Sequence, residues 1–299
     1  MVTQMGRPGG PSFQMSVLSR LQSVGVKLCS DISEINCNVF EPTPGYSPAP
    51  PALITQATPL VSCLMMTRGH IELMKYSFAC YQRQTYAHRE LVIVAEPDAG
   101  EKVRAFVASQ EALNVRVFVA PPGLTIGDHR NLAAARAHGA ILVGWDDDDL
   151  SDPRRLDIAV HILRQSGAAA AFLSRLLIWW PQRRLAAISH RKIWEGTIAA
   201  WRNYMPIYAP LPRGGDTVAK NGFVNTHRVA QYDCPLAYVY AVTGRNTWNA
   251  THFELFLSSA ECVFEGDEFD ELNKLLSDRL PVLDYAAMLN AEGAVKILG

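Results

Sequence analysis

The sequence predicts an α/β fold built on a mainly parallel sheet. Two observations carry this. Between residues 59 and 157, short apolar runs alternate with stretches whose apolar residues recur at helical spacing. A chain of 299 residues that is 48% hydrophobic and 19% charged also has the material for one large core with additions.

The elements follow in order. The first 58 residues read as an extension. Residues 16–26 have the pattern of a short helix. Residues 41–51 carry five prolines (Pro42, Pro44, Pro48, Pro50 and Pro51), the composition of an extended linker in a loosely ordered tail. From Pro59 the pattern changes. Residues 60–66 form a nearly continuous apolar run before Arg68-Gly69, as expected of a buried strand. Ile71, Met74, Phe78 and Tyr81 then recur at helical spacing, predicting a helix over 71–84. Residues 91–94 make a second strand. Val103, Phe106 and Val107 mark a helix, and residues 115–119 a third strand. Asp128 is placed to cap a helix running through Arg130, Leu132 and Ala135 to His138, with Gly139 as its stop. Residues 141–145 make a fourth strand. The last part, 249–299, reads as mostly helical, with Leu272, Leu275, Leu276 and Leu280 on one face for packing or for an oligomer contact.

The bulk numbers exclude some classes. A net charge of -1 argues against a general nucleic-acid binder or an anionic-membrane binder. None of the six cysteines forms a C-x-x-C pair, so reduced, mostly buried thiols are expected. Residues 1–10 lack a secretory pattern, and the longest apolar stretch, 168–180, is interrupted by Ser174 and Arg175. A cytoplasmic protein with no membrane span is expected, peripheral at most to the inner face of a membrane.

The chemistry concentrates at Asp146-Asp147-Asp148-Asp149, directly after the fourth strand. Crowded carboxylates are electrostatically costly without a cation. Magnesium and manganese take oxygen ligands and bind through one or two carboxylates plus phosphate oxygens, so the run suits a nucleotide diphosphate. In extended backbone, Asp146 and Asp148 would face one way and Asp147 and Asp149 the other. The alternative is a solvated loop with aspartates at turn and cap positions. An EF-hand fits poorly: counted from Asp146, position six is Ser151 and position twelve is Asp157. Parallel sheets bind ligands at the carboxyl ends of their strands, so the loops at 67–70, 96–99 and 146–149 should be neighbours.

Ordered motifs here resemble family 2 glycosyltransferases of the GT-A fold. Residues 59–68 (PLVSCLMMTR) resemble the family's opening strand and nucleotide loop. Gln84-Thr85-Tyr86 with residues 90–94 (ELVIV) resembles its QTY…ELIVV segment. His129-Arg130-Asn131-Leu132-Ala133 resembles its xRNxA helix. Trp145 to Asp149, followed by Asp152-Pro153-Arg154-Arg155-Leu156, resembles its DxD…PxRL block. The second half is similar to one bacterial branch of the family: Trp194-Glu195-Gly196-Thr197, Gly214-Gly215-Asp216-Thr217, and residues 238–249 against Y-x-x-H-G-x-N-T-W. Two positions depart from the pattern. Only Glu96 remains of a usual acid pair after the second strand, and Thr243 stands where the family often has His.

The resemblance implies a Rossmann-like nucleotide-binding half with a mainly parallel sheet and a smaller acceptor-binding half. It places the GT-A domain at 59–258 and a helical C-terminal segment at 259–299. It implies a UDP- or dTDP-sugar donor, Mn2+ or Mg2+ as cofactor, and a glycan, glycolipid or protein acceptor, as in polysaccharide biosynthesis. Asp148 is the expected metal ligand, with Asp146 on the metal or the ribose, Asp147 beside the nucleotide, and His252 as a substitute for the missing His. Thr67, Arg68, Glu96 and Arg130 are expected on the nucleotide. Asp216 is expected to be the base of an inverting transfer, with Glu195 and Trp194 lining the acceptor pocket. His252 reads equally as an ordinary helix-face residue, Asp216 as an exposed turn residue and Trp194 as core. A sugar-nucleotide pyrophosphorylase is disfavoured, because residues 66–70 (MTRGH) lack a Gly-rich basic loop. A non-catalytic sugar-nucleotide or carbohydrate-binding relative is the alternative from another class.

Overall fold

A computed structural model describes residues 16–27, 31–42 and 58–298. Residues 1–10, Cys29, Pro44, Pro48, Pro50 and Pro51, discussed above, lie outside the described residues. The extension supplies helix α1 (Val17–Ser23) and strand β1 (Cys37–Phe40). The repeating part follows as β2 (Val61–Thr67), α2 (Ile71–Gln82), β3 (Arg89–Ala95), α3 (Gly100–Ser109), β4 (Val115–Val119), α4 (Ile126–Arg136) and β5 (Ile141–Gly144). Next come β6 (Leu150–Ser151), α5 (Arg155–Ser166), β7 (Ala170–Leu173), β8 (Leu177–Trp180), β9 (Leu185–Ile188) and β10 (Ala199–Trp201). The chain closes with α6 (Gly215–Thr226), β11 (Val229–Tyr232), β12 (Tyr238–Ala241), α7 (Ala250–Ser258), β13 (Cys262–Glu265), α8 (Asp267–Leu276) and α9 (Val282–Leu298).

The large sheet has the order β1-β11-β7-β10-β5-β2-β3-β4. The block β5-β2-β3-β4 is wholly parallel, β11 runs parallel to β7, and β10 runs antiparallel to both its neighbours. All seven residues of β2 are buried. Its alternate side chains enter two cores, as a strand covered on both faces requires. Cys63 and Met65 join Leu91 and Ile93 on one side, while Leu64 and Met66 join Val92 and Val94 against Ala133 of α4 on the other. A second sheet, ordered β13-β9-β8-β12-β6, hangs on the acid run through β6.

Several boundaries differ from expectation. Helix α4 is capped by Thr125; Asp128 sits at its third position and completes a capping box with Thr125. The helix ends at Arg136, two residues before His138. Helix α2 ends at Gln82, and the fourth strand ends at Gly144. The C-terminal part is helical apart from β13, which pairs antiparallel with β9.

The extension is partly built into the fold. Val17 and Leu21 are fully buried, Arg20 pairs with Glu268 and donates to the Val263 carbonyl, and β1 pairs antiparallel with β11. Composition does not show this, because residues 16–40 are as apolar as the chain as a whole and their pattern does not say what they pack against. The fully buried Arg175 is the other anchor. It donates to Asp233 at 2.7 and 2.9 Å, to Glu261 at 2.5 Å and to the Val24 carbonyl at 2.7 Å. The five described cysteines are all free thiols. Among the described residues, no helix is long and apolar enough to cross a membrane.

Candidate active site

The carboxyl ends of β2, β3 and β5 open into one cleft of about 390 Å³. All ten residues expected to act in the site line it: Thr67, Arg68, Glu96, Arg130, Asp146, Asp147, Asp148, Glu195, Asp216 and His252. Trp194 and Asp149 line it as well.

One wall of the cleft is local to the parallel block. Thr67 ends β2, and its hydroxyl accepts from the Gly69 amide at 2.9 Å. Gly69 has φ +75°, and a Cβ there would stand 2.6 Å from the Ala99 side chain, so only glycine lets the loop turn this closely. The Arg68 guanidinium lies 3.4 Å from Glu96, and both are well exposed. This places one cation and one acid at the cleft's rim.

The acid run is not an extended strand. After Trp145 the backbone turns and re-enters a strand only at Leu150. The expected alternation therefore fails: the Tyr238 hydroxyl reaches Asp146 at 2.9 Å and Asp149 at 2.5 Å. Asp149 is buried, and its second oxygen accepts from the Ala241 amide at 2.8 Å. Asp148 Oδ2 accepts from the Asn246 amide at 3.0 Å, and its carbonyl from the Tyr285 hydroxyl at 2.8 Å. The Asp146 carbonyl accepts from Ser77 at 2.6 Å. Burial first, and mutual repulsion with it, pushes Asp148 and Asp149 well above the usual carboxylate range. Burial raises Asp147 to about 6, against a hydrogen bond from Thr67 that favours its charged form. Beneath the run lies the buried Arg155, which donates to the Gly144 carbonyl and to Ser151 and packs on the rings of Trp145 and Tyr238.

Four crowded carboxylates, three of them (Asp147, Asp148 and Asp149) with their charged forms penalised, fit a divalent cation. The donor set of Asp146 and Asp148 suits a hard ion completed by phosphate oxygens. It does not extend to three protein ligands. Among the described residues, no three His, Cys, Asp or Glu side chains are disposed to hold a metal. His252 is engaged elsewhere. Its ring stacks on Trp248 at 4.5 Å and meets the Phe256 ring edge-on at 4.5 Å. Burial lowers its pKa, favouring the neutral ring.

The opposite wall comes from the second half of the chain. Gly214, at φ +73°, turns the chain into α6, whose second residue is Asp216. The Asp216 carboxylate lies 3.6 Å from Arg130 of α4. The neighbouring Asn131 exchanges hydrogen bonds with the Tyr208 backbone at 2.8 and 2.9 Å, tying the two walls together. Glu195 sits between Lys192 at 3.3 Å and Lys220 at 3.6 Å. Trp194 is 4% exposed and packs edge-on to Phe256, while its indole N–H is buried without a partner among the described residues. It is chiefly core, with one edge in the cleft.

Sequence reasoning missed Tyr238, Asn246, Tyr285 and Arg155. Tyr238 and Asn246 fall inside the 238–249 motif, which is the signal that points to them. Tyr285 carried no such signal.

No family model matches the chain, and no curated protein sequence matches it either. Solved structures do match. The S. aureus TarS 1-349 structure is 13% identical, covers 73% of this chain and 72% of its own, and superposes with a TM-score of 0.51. The same fragment in complex with UDP-GlcNAc gives a TM-score of 0.52 at 13% identity, over 68% of this chain and 61% of its own. The mannosyltransferase PcManGT from Pyrobaculum calidifontis, in complex with GDP-Man and Mn2+, gives 0.51 at 17% identity, over 83% of this chain and 72% of its own. The chain is similar to these proteins in fold: it has the mixed α/β, GT-A-type fold of glycosyltransferases.

Proposed function

We propose that the chain is a glycosyltransferase that moves a sugar from a nucleotide diphosphate sugar to a hydroxyl acceptor, with inversion. The observation that carries this reading is a single cleft. It joins a nucleotide-side rim (Thr67, Arg68, Glu96), a cation-demanding acid run and a facing carboxylate, Asp216, on a GT-A fold. Two structures of similar fold hold UDP-GlcNAc in one case and GDP-Man with Mn2+ in the other.

Each group then has a physical task. Glu96, beside Arg68, is placed to accept an N–H from a nucleobase. Asp148 and Asp146 would hold Mn2+ or Mg2+, which when bound neutralises the leaving diphosphate as a Lewis acid. Asp216 takes the proton of the acceptor hydroxyl as its oxygen attacks the sugar carbon and the diphosphate departs. That role requires the hydroxyl within ~3 Å of the carboxylate. Arg130 holds Asp216 in place and offers a positive charge between donor and base. Glu195, held by two lysines, lines the acceptor side.

One observation favours a second reading. Arg130 already partners Asp216, an arrangement that also suits a binding relative without turnover. Thermal shifts with UDP-, GDP- and dTDP-sugars, with and without Mn2+, test the main reading, because a ligand that binds only the folded state raises its stability. A metal-dependent shift with one base class is expected. No shift with any donor would overturn both readings, and shifts without turnover on an acceptor panel would favour the second.

A further inference from the structure

We propose that Asn246 is the positioning residue for the Asp148 carboxylate, and that Thr243 serves the site by orienting Asn246 and not as a ligand. The proposal rests on the reading of Asp148 as a metal ligand. The side chain of Asn246 is fully employed. Its amide donates to Asp148 Oδ2 at 3.0 Å and to the Ala241 carbonyl at 2.9 Å. Its carbonyl oxygen accepts from the Thr243 amide at 2.9 Å and from the Thr243 hydroxyl at 3.3 Å. These four contacts fix which end of the amide points at Asp148: the oxygen is held by two donors, so the NH2 group must face the carboxylate.

A carboxylate among three others has every reason to turn away from them. Asn246 supplies the opposing pull. The hydrogen bond to Oδ2 restrains rotation of the side chain whether the carboxyl group is charged or neutral. With Oδ2 held, the Asp148 side chain is fixed before any ion arrives. The Tyr285 hydroxyl holds the main chain of the same residue from α9, so backbone and side chain are pinned by separate elements. The loop carrying Asn246 is itself tied across the cleft mouth by an ion pair between Arg245 and Glu72 at the start of α2. The residue that departs from the resembled motif, Thr243, thus has a task of its own: hydroxyl and amide together hold the amide that holds the carboxylate.

The test is Mn2+ alone, titrated into the full chain and followed by loss of the free-ion electron paramagnetic resonance signal. Removing a partner that orients a metal ligand typically weakens metal binding 10–100-fold. Asn246→Ala is expected to raise the Mn2+ dissociation constant about tenfold or more, and Thr243→Val by a smaller factor in the same direction. Ser109→Ala, at the exposed end of α3 and outside the cleft lining, is the control and should bind Mn2+ like the wild type. Circular dichroism melting of each variant separates a lost fold from a lost ligand orientation. Unchanged Mn2+ affinity in a folded Asn246→Ala chain overturns the proposal, as does a wild type that binds no Mn2+. Failure of the glycosyltransferase reading shows differently: sugar nucleotides would not bind, while the Mn2+ comparison would still decide the role of Asn246.

Discussion

Arg130 of α4 and Asp216 of α6 stand 3.6 Å apart, across the seam where the first-half and second-half walls of the cleft meet. A cation there holds the carboxylate and, on the proposed reading, would face the diphosphate as well. Asp216→Asn is nearly isosteric and removes the base. It should lower kcat by about 10²–10⁴-fold, the usual weight of a general base, with little change in sugar-nucleotide affinity. Arg130→Gln should instead weaken nucleotide binding and lower kcat together. Steady-state kinetics beside calorimetric binding separates the two patterns.

The Tyr238 hydroxyl touches both Asp146 and Asp149. Tyr238→Phe leaves the buried Asp149 and the half-buried Asp146 carboxyl groups each short of a donor. It should cost about 1–3 kcal/mol, the penalty for an unsatisfied buried polar group, read as a lower midpoint in urea. A ring-stacking role alone would leave the midpoint unchanged, because phenylalanine keeps the ring.

These contacts show where the sequence was legible. Thr67, Glu96 and Asp146 each follow an apolar run, so strand periodicity alone predicts their shared edge, and they do line one cleft. The alternation of the four aspartates was not legible, because it assumed extended backbone where the chain turns before β6. Tyr285 lies 137 residues beyond Asp148, and nothing in local pattern predicts that α9 reaches the acid run. Strand β1 was masked by its weak apolar pattern; its partner β11 supplies the buried face.

The acid run also predicts a pH dependence. Asp147 has its pKa raised from 3.8 to about 6, and Asp148 and Asp149 are also raised well above the ordinary range. A carboxyl group whose folded pKa is raised binds its proton more tightly in the folded state. Its contribution favours folding at low pH and is lost as pH rises from about 4 through 6. The metal-free chain should therefore lose melting temperature over that window from this cluster. Mn2+ should return more of it at pH 7 than at pH 5. Equal Mn2+ stabilisation at both values would contradict the electrostatic account.

Arg175 is fully buried between Asp233, Glu261 and the Val24 carbonyl. Breaking a buried ion network by removing one partner costs about 3–5 kcal/mol. Arg175→Ala should lower stability by that order and release the N-terminal helix, read as earlier limited proteolysis near residues 24–27. Cleavage at the wild-type rate would show that α1 is held by its apolar face and the Arg20 contacts without Arg175.

The central claim is that the aspartate run and its cleft turn over a nucleotide diphosphate sugar with a divalent ion. Release of nucleoside diphosphate from UDP-GlcNAc and GDP-mannose, with Mn2+ or with chelator, in wild type and Asp148→Ala, tests it most directly. The account predicts release from one donor class that needs Mn2+ or Mg2+ and falls at least about 100-fold in Asp148→Ala, the scale on which lost electrostatic stabilisation acts. Release that persists in chelator, or an Asp148→Ala chain with full activity, would contradict it.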